Sequence, residues 1–506
     1  MQTTNLENLI IEYASKGITF DNLGTNSLQM PTITQLKIQN CDTGIIFTGL
    51  RDYKAALSNI SIDRTKKGVV VIYDANSFNN EYEFNNLTIT NSTTGITYEG
   101  DVSSMPNTGV AKDLSLILNN STITTSEVAG IGIVIPRLML NNCTIQYRNQ
   151  QQESNGSGVK LFFCKGTGTN IIKGYKDGIY MAYHQRFVNA STSTEISGIN
   201  IYDCSAGIYS VASPDILNVL IDNCDYGMFD QTTQFANSGK IDFCQITNCK
   251  ITGIYRQTKM IKNSIVNNCG ELGIMLSNDG TDIINSVISN NHVGAFDYSV
   301  DGNLYILNSR FSSNNYAIVL DSDDNIGSEL NCQHSIFHKN STGVVGGYRQ
   351  LWERISNASQ GSRHKIPPQN IVSHYSVEEF AGDLFIDYCT FVGTGMHLLN
   401  LKASNPFTSY QSIYINNSIL ISSQSNAPLN NPNTFNQTTL SIDYSYISRS
   451  FPGYPTYIGG FTWVPSYPMF VDEVNGDLHT LSNSPAKTAS TTGGEIGAYG
   501  NNGSPP

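Results

Sequence analysis

The sequence has few charged side chains, and this shortage already limits the folds that it can adopt. Charged residues make up 14% of the 506 residues, whereas roughly 25% is typical of globular proteins. Hydrophobic residues account for 39%, so Asn, Ser, Thr and Gly fill the remainder. Because coiled coils and helical bundles depend on Glu, Lys, Arg, Ala and Leu, this composition argues against a helical architecture.

Long apolar runs, a signal peptide and an excess of basic residues are also missing. The chain has 29 Lys and Arg against 41 Asp and Glu, a formal net charge of −12, which disfavours binding to the phosphates of a nucleic acid. No stretch approaches the ~20 apolar residues of a membrane-spanning helix. Met1 is not followed by a basic and then an apolar segment. We therefore expect neither a nucleic-acid partner nor insertion into a membrane.

A repeated unit occupies nearly the whole sequence. It has the form apolar-x-apolar-x-Asn-(Cys/Ser)-x-Ile, followed by Gly-Ile-aromatic. In its clearest run the glycines are separated by 20, 26, 20 and 21 residues; these are Gly207, Gly227, Gly253, Gly273 and Gly294. A fixed period of this length is typical of solenoid proteins, in which each unit buries its apolar side against its neighbours.

The pattern within the unit predicts strands. Apolar residues alternate with polar ones, and the runs are short and β-branched. Asn tolerates the left-handed backbone of a corner and can bond its copy in the next coil. A leucine-rich repeat is the rival interpretation, but its Leu spacing and helical half are missing. We predict an all-β solenoid of about 16 coils.

The repeat resembles the right-handed parallel β-helix superfamily that includes pectate-lyase-like proteins, over residues 1–450. Leu6–Phe20 (LENLIIEYASKGITF) resembles an interior coil of bacterial surface β-helix proteins. Met469–Gly500 resembles the segment that closes many secreted bacterial β-helix proteins. The resemblance implies an extracellular or cell-surface location, with residues 451–506 forming a C-terminal cap and linker. We expect both ends to be cut from a longer chain.

The ten cysteines show no CxxC metal-binding spacing. Some occupy a position where other units carry Ser or Asn, which predicts small buried corner residues stacked in a ladder. Free thiols are one interpretation, and a disulfide between adjacent coils, such as Cys204 with Cys224, is the alternative.

Segments of variable length follow the Gly-Ile strand, so we expect loop insertions along one edge of the solenoid. The largest, residues 346–383, is the one basic patch and includes Arg349, Trp352 and Arg354. It is interpreted either as a solvated flap or as a wall over an anionic ligand.

An aromatic column is the first candidate binding surface. The residue two after the repeated Gly is apolar or aromatic in six successive units: Tyr180, Tyr209, Phe229, Tyr255, Met275 and Phe296. Strand alternation turns this column outward if the preceding residue points into the core. An exposed aromatic column would suit the rings of a polysaccharide. The alternatives are a stack covered by neighbouring segments, or an inward ladder if the register is shifted by one.

Charged residues directly beyond the column are the candidate catalytic groups. Asp230, Arg256 and Asp297 follow it, and Asp321, Asp323 and Asp324 lie in the next coil. The family resemblance implies a lyase-like scheme, in which the last three carboxylates hold Ca²⁺ and Arg256 or Lys259 removes a proton from a uronate. A hydrolase with paired Asp residues is the other enzymatic possibility, but the Gly-His-Gly and Arg-Ile-Lys motifs expected with it are absent.

Three functional hypotheses follow from the sequence. The first is a secreted or cell-surface β-helix protein that binds an extracellular polysaccharide and, if the lyase scheme holds, cleaves it. The second is a non-catalytic stalk or adhesin segment of a large anchored protein. The third is a receptor binder similar to a phage tailspike.

Overall fold

The computed structural model describes 22 stretches of the chain, and all structural statements below concern them. They are residues 5–21, 32–48, 54–72, 81–99, 115–127, 130–134, 137–148, 156–161, 163–181, 195–210, 214–230, 239–255, 258–276, 280–297, 303–320, 328–346, 382–393, 397–400, 411–422, 429–430, 438–448 and 467–506. The chain divides into two compact units, Met1–Gly239 and Lys240–Pro506, and each is described by itself.

In unit 1 the described strands form two parallel sheets. We call the first the bent sheet, because each coil supplies it with one long strand or with two short strands separated by a corner. Its strands are β1 (Asn5–Glu7), β2 (Ile10–Glu12), β4 (Thr32–Gln39), β6 (Lys54–Asp63), β8 (Glu81–Ser92), β10 (Ser115–Asn119), β11 (Thr122–Thr125), β13 (Arg137–Asn141), β14 (Thr144–Tyr147), β16 (Phe163–Thr167), β17 (Ile171–Lys173), β19 (Glu195–Tyr202) and β21 (Asp215–Asp222).

The second sheet is the glycine sheet, because most of its strands carry the repeated Gly near their start. In unit 1 its strands are β3 (Lys16–Asp21), β5 (Thr43–Thr48), β7 (Lys67–Ile72), β9 (Thr94–Glu99), β12 (Ile131–Val134), β15 (Ser157–Leu161), β18 (Asp177–Met181), β20 (Ala206–Ser210) and β22 (Tyr226–Asp230).

Unit 2 repeats the same two sheets. The bent sheet holds β23 (Lys240–Asp242), β24 (Gln245–Thr247), β26 (Met260–Lys262), β27 (Ile265–Asn267), β29 (Thr281–Ile284), β30 (Val287–Ser289), β32 (Asn303–Leu307), β33 (Arg310–Ser312), β35 (Ser328–Gln333), β36 (Ile336–His338), β38 (Gly382–Asp387), β39 (Thr390–Gly393), β41 (Gln411–Asn416), β42 (Ile419–Ser422), β44 (Thr438–Asp443) and β45 (Tyr446–Ile447). The glycine sheet holds β25 (Thr252–Tyr255), β28 (Leu272–Leu276), β31 (Val293–Asp297), β34 (Tyr316–Leu320), β37 (Thr342–Gly346), β40 (His397–Asn400) and β43 (Leu429–Asn430).

Equivalent residues of successive coils pair in register. In unit 1 Ile208 of β20 lies opposite Met228 of β22, and in unit 2 Ala295 of β31 lies opposite Ile318 of β34. The chain therefore folds as a parallel β-helix, which confirms the predicted all-β solenoid. The described glycine sheet has nine strands in unit 1 and seven in unit 2, in agreement with the expected number of coils. The connections that follow glycine-sheet strands vary in length, as the sequence predicted, but connections that precede these strands vary too: one residue separates β8 from β9 and nine separate β14 from β15.

Asparagine makes many of the corners. Left-handed backbone at a non-glycine residue is unfavourable except for Asn and Asp, whose short side chains can bond nearby groups. Corner Asn residues with positive φ include Asn40, Asn86, Asn120, Asn142 and Asn223 in unit 1, and Asn248, Asn268, Asn290, Asn308 and Asn417 in unit 2. Some also bond the residue one coil away: Asn268 donates to Asn248 at 2.7 Å.

Buried polar ladders line the inner side of the corners in unit 2. At one corner the backbone N–H of each coil donates to the serine hydroxyl oxygen of the next coil at 3.1–3.2 Å. These bonds run in order from Cys244 to Ser264, Ser286, Ser309 and Ser335. At the other corner Asn side chains play the same part, as Cys269, Asn291 and Asn314 each donate to the next Asn Oδ1 at 2.9–3.0 Å. All ten cysteines are buried free thiols, so the predicted free-thiol ladder is confirmed over the Cys204–Cys224 disulfide.

Residues 467–506, here called the C-terminal clasp, pack onto the bent sheet of unit 2. The clasp contains an antiparallel hairpin of β46 (Phe470–Asp472) and β47 (Asp477–Thr480) and two short 3-10 helices, Pro485–Thr488 and Gly500–Asn502. Its buried apolar residues contact outward-facing side chains of β36, β39 and β42. The cluster comprises Ile336, Val392, Ile419 and Ile421 on the sheet, and Phe470, Leu478, Ala486, Ile496 and Ala498 on the clasp.

Candidate functional site

In unit 1 the aromatic column is a stack of rings on the outer side of the glycine sheet. The Tyr180 and Tyr209 ring centroids lie 5.3 Å apart with planes 5° apart, and Tyr209 and Phe229 lie 5.6 Å apart at 12°. Lys160 Nζ lies 5.3 Å from the Tyr180 ring centroid. Because the rings turn their faces toward each other and the ammonium group covers the end of the stack, the column offers a sugar chain ring edges rather than faces.

The column is also more buried than a binding surface requires. Tyr209 is 5% exposed and Phe229 8%, and in unit 2 Met275 and Phe296 are at most 1% exposed. Tyr180 and Tyr255 are half-buried. Strand alternation correctly placed the column outward, but an exposed aromatic column is wrong for the four buried residues. At these four residues the structure instead agrees with the covered stack, which was one of the alternatives predicted from the sequence.

The two carboxyl groups among the described catalytic candidates also lie away from solvent. Asp230 is 5% exposed and Asp297 3%. Each follows the aromatic column by one residue and so faces inward, and Asp297 is paired in register between Leu276 and Leu320. Neither carboxyl group lies on an open edge, so a scheme that uses them on a polymer has no geometric support here.

The alternative base candidate Lys259 is described and exposed, whereas the remaining predicted site residues lie outside the described residues. These are the base candidate Arg256, the Ca²⁺ candidates Asp321, Asp323 and Asp324, and the insertion residues Arg349, Trp352 and Arg354. Within the described stretches no group of three or more His, Cys, Asp or Glu side chains is placed to hold a metal ion. Likewise, no helix in the described part of the chain is long and apolar enough to cross a membrane.

Unit 2 presents a different candidate surface on the outer side of the bent sheet, which we call the acidic face. It consists of the described outward side chains of β29, β32, β35, β38, β41 and β44, whose inward neighbours are buried. They are Asp282, Ile284, Asn303, Tyr305, Leu307, Glu329, Asn331, Gln333, Asp383, Phe385, Asp387, Ser412, Tyr414, Asn416, Ser441 and Asp443. The face therefore combines three aromatic rings with amide, hydroxyl and carboxyl groups.

Phe385 and Tyr414 form an aromatic pair at the centre of this face. Their ring centroids are 5.0 Å apart and their planes 3° apart. The neighbouring coils carry the smaller Asn331 beside Phe385 and Ser441 beside Tyr414. Because both neighbours are small, the two outer ring faces of the pair lie beside short polar side chains and not against further rings. Half-buried rings bordered by hydrogen-bonding groups suit the apolar faces and hydroxyls of sugars.

Hydrogen bonds fix the polar groups around the pair. Tyr305 donates its hydroxyl to Gln333 Oε1 at 3.1 Å, and the Ser412 N–H donates to Asp383 Oδ1 at 2.9 Å. Burial raises the pKa of Asp282, and burial together with the Asp282 carboxyl group raises the pKa of Tyr305. These two residues are register partners on β29 and β32, so the charge of the Asp282 carboxyl group acts directly on the Tyr305 hydroxyl at the end of the face.

Sequence reasoning missed the acidic face. A signal was present, since an aromatic residue stands between two apolar ones in Leu304–Ile306, Leu384–Ile386 and Ile413–Ile415, where adjacent coils carry Asp282, Asn331 and Ser441. Alternation makes such a central residue outward-facing.

No protein-family model, no curated protein and no solved structure matches the chain.

Proposed function

We propose that this chain belongs to a secreted or cell-surface bacterial β-helix protein that binds an extracellular polysaccharide along the acidic face of unit 2. The observation that carries the proposal is the Phe385–Tyr414 pair, half-buried and bordered by small polar residues. The likeness of the repeat to pectate-lyase-like β-helices supports the location and the ligand class. Parallel strands repeat every ~4.8 Å, so the face offers an extended chain the same kind of contact on successive coils.

Binding is proposed in preference to cleavage. The buried positions of Asp230 and Asp297 leave the lyase scheme without an accessible carboxylate among the described candidates. On the acidic face the groups that contact a polymer are rings, amides, hydroxyls and carboxyls, which suit recognition. Incubation with a polysaccharide panel, with Ca²⁺ and with a chelator, separates the two functions. We expect a retained complex and neither unsaturated-uronide absorbance nor new reducing ends.

Removing the aromatic pair should abolish most of the affinity. We expect the double substitution Phe385→Ala and Tyr414→Ala to lower the affinity for the best-binding polysaccharide by about tenfold to hundredfold, because aromatic anchors dominate interface energies. Affinity electrophoresis against the panel followed by calorimetry measures this. The matched control is Phe243→Ala, an aromatic side chain that is 65% exposed at a corner of the same unit. Equal loss in both variants, or no loss in the double variant, would contradict the proposal.

The charge of the face sets the expected ligand class. The described residues of the acidic face include five carboxyl groups and no Lys or Arg; the acids are Asp282, Glu329, Asp383, Asp387 and Asp443. A polyuronate would bring like charges together, whereas a neutral or amino-sugar polymer would not. We expect a polyuronate to bind at least about tenfold more weakly than a neutral polymer of equal length, with the difference narrowing at high salt. Equal affinity for both polymers would exclude this face as the binding surface.

A further inference from the structure

The C-terminal clasp is held on the bent sheet by contacts that include a histidine at its centre. His338, the last residue of β36, faces outward, since its neighbour Phe337 stacks in the inner ring ladder with Phe311 and Phe391. It is nevertheless only 5% exposed because the clasp covers it. Its Nε2 lies 3.0 Å from the backbone oxygen of Glu473 in the hairpin of the clasp. Since a carbonyl oxygen only accepts, this contact requires the tautomer with a proton on Nε2.

The groups that face His338 disfavour a second proton on the ring. Arg310, one coil away on β33, donates from Nη2 to the Gly476 carbonyl oxygen at 2.8 Å, and so lies under the same hairpin. Lys339 follows His338 directly in the chain. Burial, and after it the two cations, lower the pKa of His338, although the Glu473 carbonyl contact acts in the opposite direction. On the clasp, the Glu473 carboxylate is itself engaged by the Tyr467 hydroxyl.

A second histidine lies under the other end of the clasp. His334, at a corner of the bent sheet, stacks on Tyr388 with ring centroids 5.1 Å apart. Burial lowers its pKa, while Asp387 and the carbonyls of Ala498 and Gly500 partly oppose the shift. Because a carboxylate and two carbonyls lie near it, His334 tolerates protonation better than His338. The acid-sensitive group under the clasp is therefore His338.

Other described contacts between the clasp and the sheet use groups that do not titrate near neutral pH. Gly497 donates its N–H to the Asn417 carbonyl at 2.7 Å, and Ala498 donates to Thr390 Oγ1 at 2.9 Å. The apolar cluster under the clasp is likewise independent of pH. Acidification thus places a buried positive charge near Arg310 and Lys339, beneath an interface that other contacts maintain.

From this geometry we infer that the clasp is a pH-sensitive cover: protonation of His338 promotes its opening from strands β33, β36, β39 and β42. The sign follows from linkage. In the closed clasp His338 binds a proton more weakly than it does when the clasp is open. The closed state therefore becomes less stable relative to the open state as the pH falls below the ordinary histidine pKa of 6.5. The opening equilibrium should rise by at most about tenfold per pH unit below that value. Opening exposes Ile336, Val392, Ile419 and Ile421.

Hydrogen–deuterium exchange of the full chain tests the inference. Protection factors, corrected for intrinsic exchange rates, are compared at pH 7.5 and 5.0 for peptides from residues 469–503 and for reference peptides from unit 1. We expect clasp protection to fall about tenfold or more relative to the reference peptides. In the variant His338→Gln, whose amide keeps a donor for the Glu473 carbonyl but does not titrate, the fall should be less than threefold. His479→Gln, which removes the His479–Asp477 pair within the clasp but leaves His338 in place, should retain the wild-type fall.

Two results would overturn the inference. One is clasp protection that does not change with pH in the wild type, and the other is an equal fall in His338→Gln. Should that variant fold poorly, slow exchange of the histidine Cε1 hydrogen in the wild-type chain gives the pKa of His338 directly. A value below 6.5 supports the inference, and a value of 6.5 or above refutes it.

Discussion

Replacing Asn314 by leucine should destabilise unit 2 by about 4 kcal/mol, because several buried groups would lose their partners at once. The Asn314 side chain is 2% exposed. Its Oδ1 accepts from the Asn291 N–H at 3.0 Å and from Asn291 Nδ2 at 3.1 Å. Its Nδ2 donates to the Ile288 carbonyl at 3.1 Å and to Asn340 Oδ1 at 3.0 Å. A leucine of similar volume keeps the packing but satisfies none of these groups.

Urea denaturation followed by circular dichroism, together with hydrogen exchange of strands β30, β33 and β36, measures this loss. Asn314→Ser should have an intermediate effect, since a hydroxyl oxygen accepts the same N–H bond at the other corner. The control is Asn315→Ala, at an exposed neighbour, for which we expect a change within about 0.5 kcal/mol. A leucine variant as stable as this control would mean that the buried Asn ladder does not hold the coils together.

Gly95→Ala should strongly destabilise unit 1. A Cβ at Gly95 would lie 2.4 Å from the Gly132 carbonyl oxygen and 2.4 Å from Ile123 Cγ2. Both belong to the next coil, and Gly132 lies in β12, which pairs with the strand of Gly95. The coils would have to separate locally, and we expect a loss of about 3 kcal/mol.

Gly494→Ala provides the matched comparison, because its nearest atoms, Ser490 Oγ and Thr492 Oγ1, would be 3.4 and 3.8 Å from the added methyl group. That variant should be unchanged or slightly more stable, because alanine restricts the unfolded chain. The thermal unfolding midpoint of each variant gives the comparison. Equal midpoints for Gly95→Ala and the wild type would contradict the close approach of successive coils.

The solenoid itself was predictable because its determinants are local and repeated. Each coil carries its own corner Asn, its own Gly and its own alternating Ile residues, so the period alone indicates stacked coils. The interchange of Cys with Ser at positions such as Cys244 and Ser264 likewise predicts a ladder from the sequence alone, and the structure contains it. Here sequence and structure agree because each pattern is repeated in the neighbouring coil.

The candidate site was harder to predict, since it depends on what packs over each face. Alternation correctly placed Tyr209 and Phe229 on the outer side of the glycine sheet, but the repeat does not encode their burial to 5% and 8% exposure. The Phe385–Tyr414 pair arises because two adjacent coils carry an aromatic residue at the same outward position. Contacts of the C-terminal clasp, such as that between Thr390 and Ala498, join residues 108 apart in the chain, which a local pattern cannot reveal.

Hydroxyl-radical footprinting with and without the best-binding oligosaccharide tests the proposed function most directly, because it reports side-chain protection residue by residue. We predict that Tyr305, Phe385 and Tyr414 become protected when the sugar is bound, while Phe243 and Tyr13, which are 65% and 80% exposed, do not change. Unchanged oxidation of Phe385 and Tyr414 in a saturated complex would contradict binding at the acidic face.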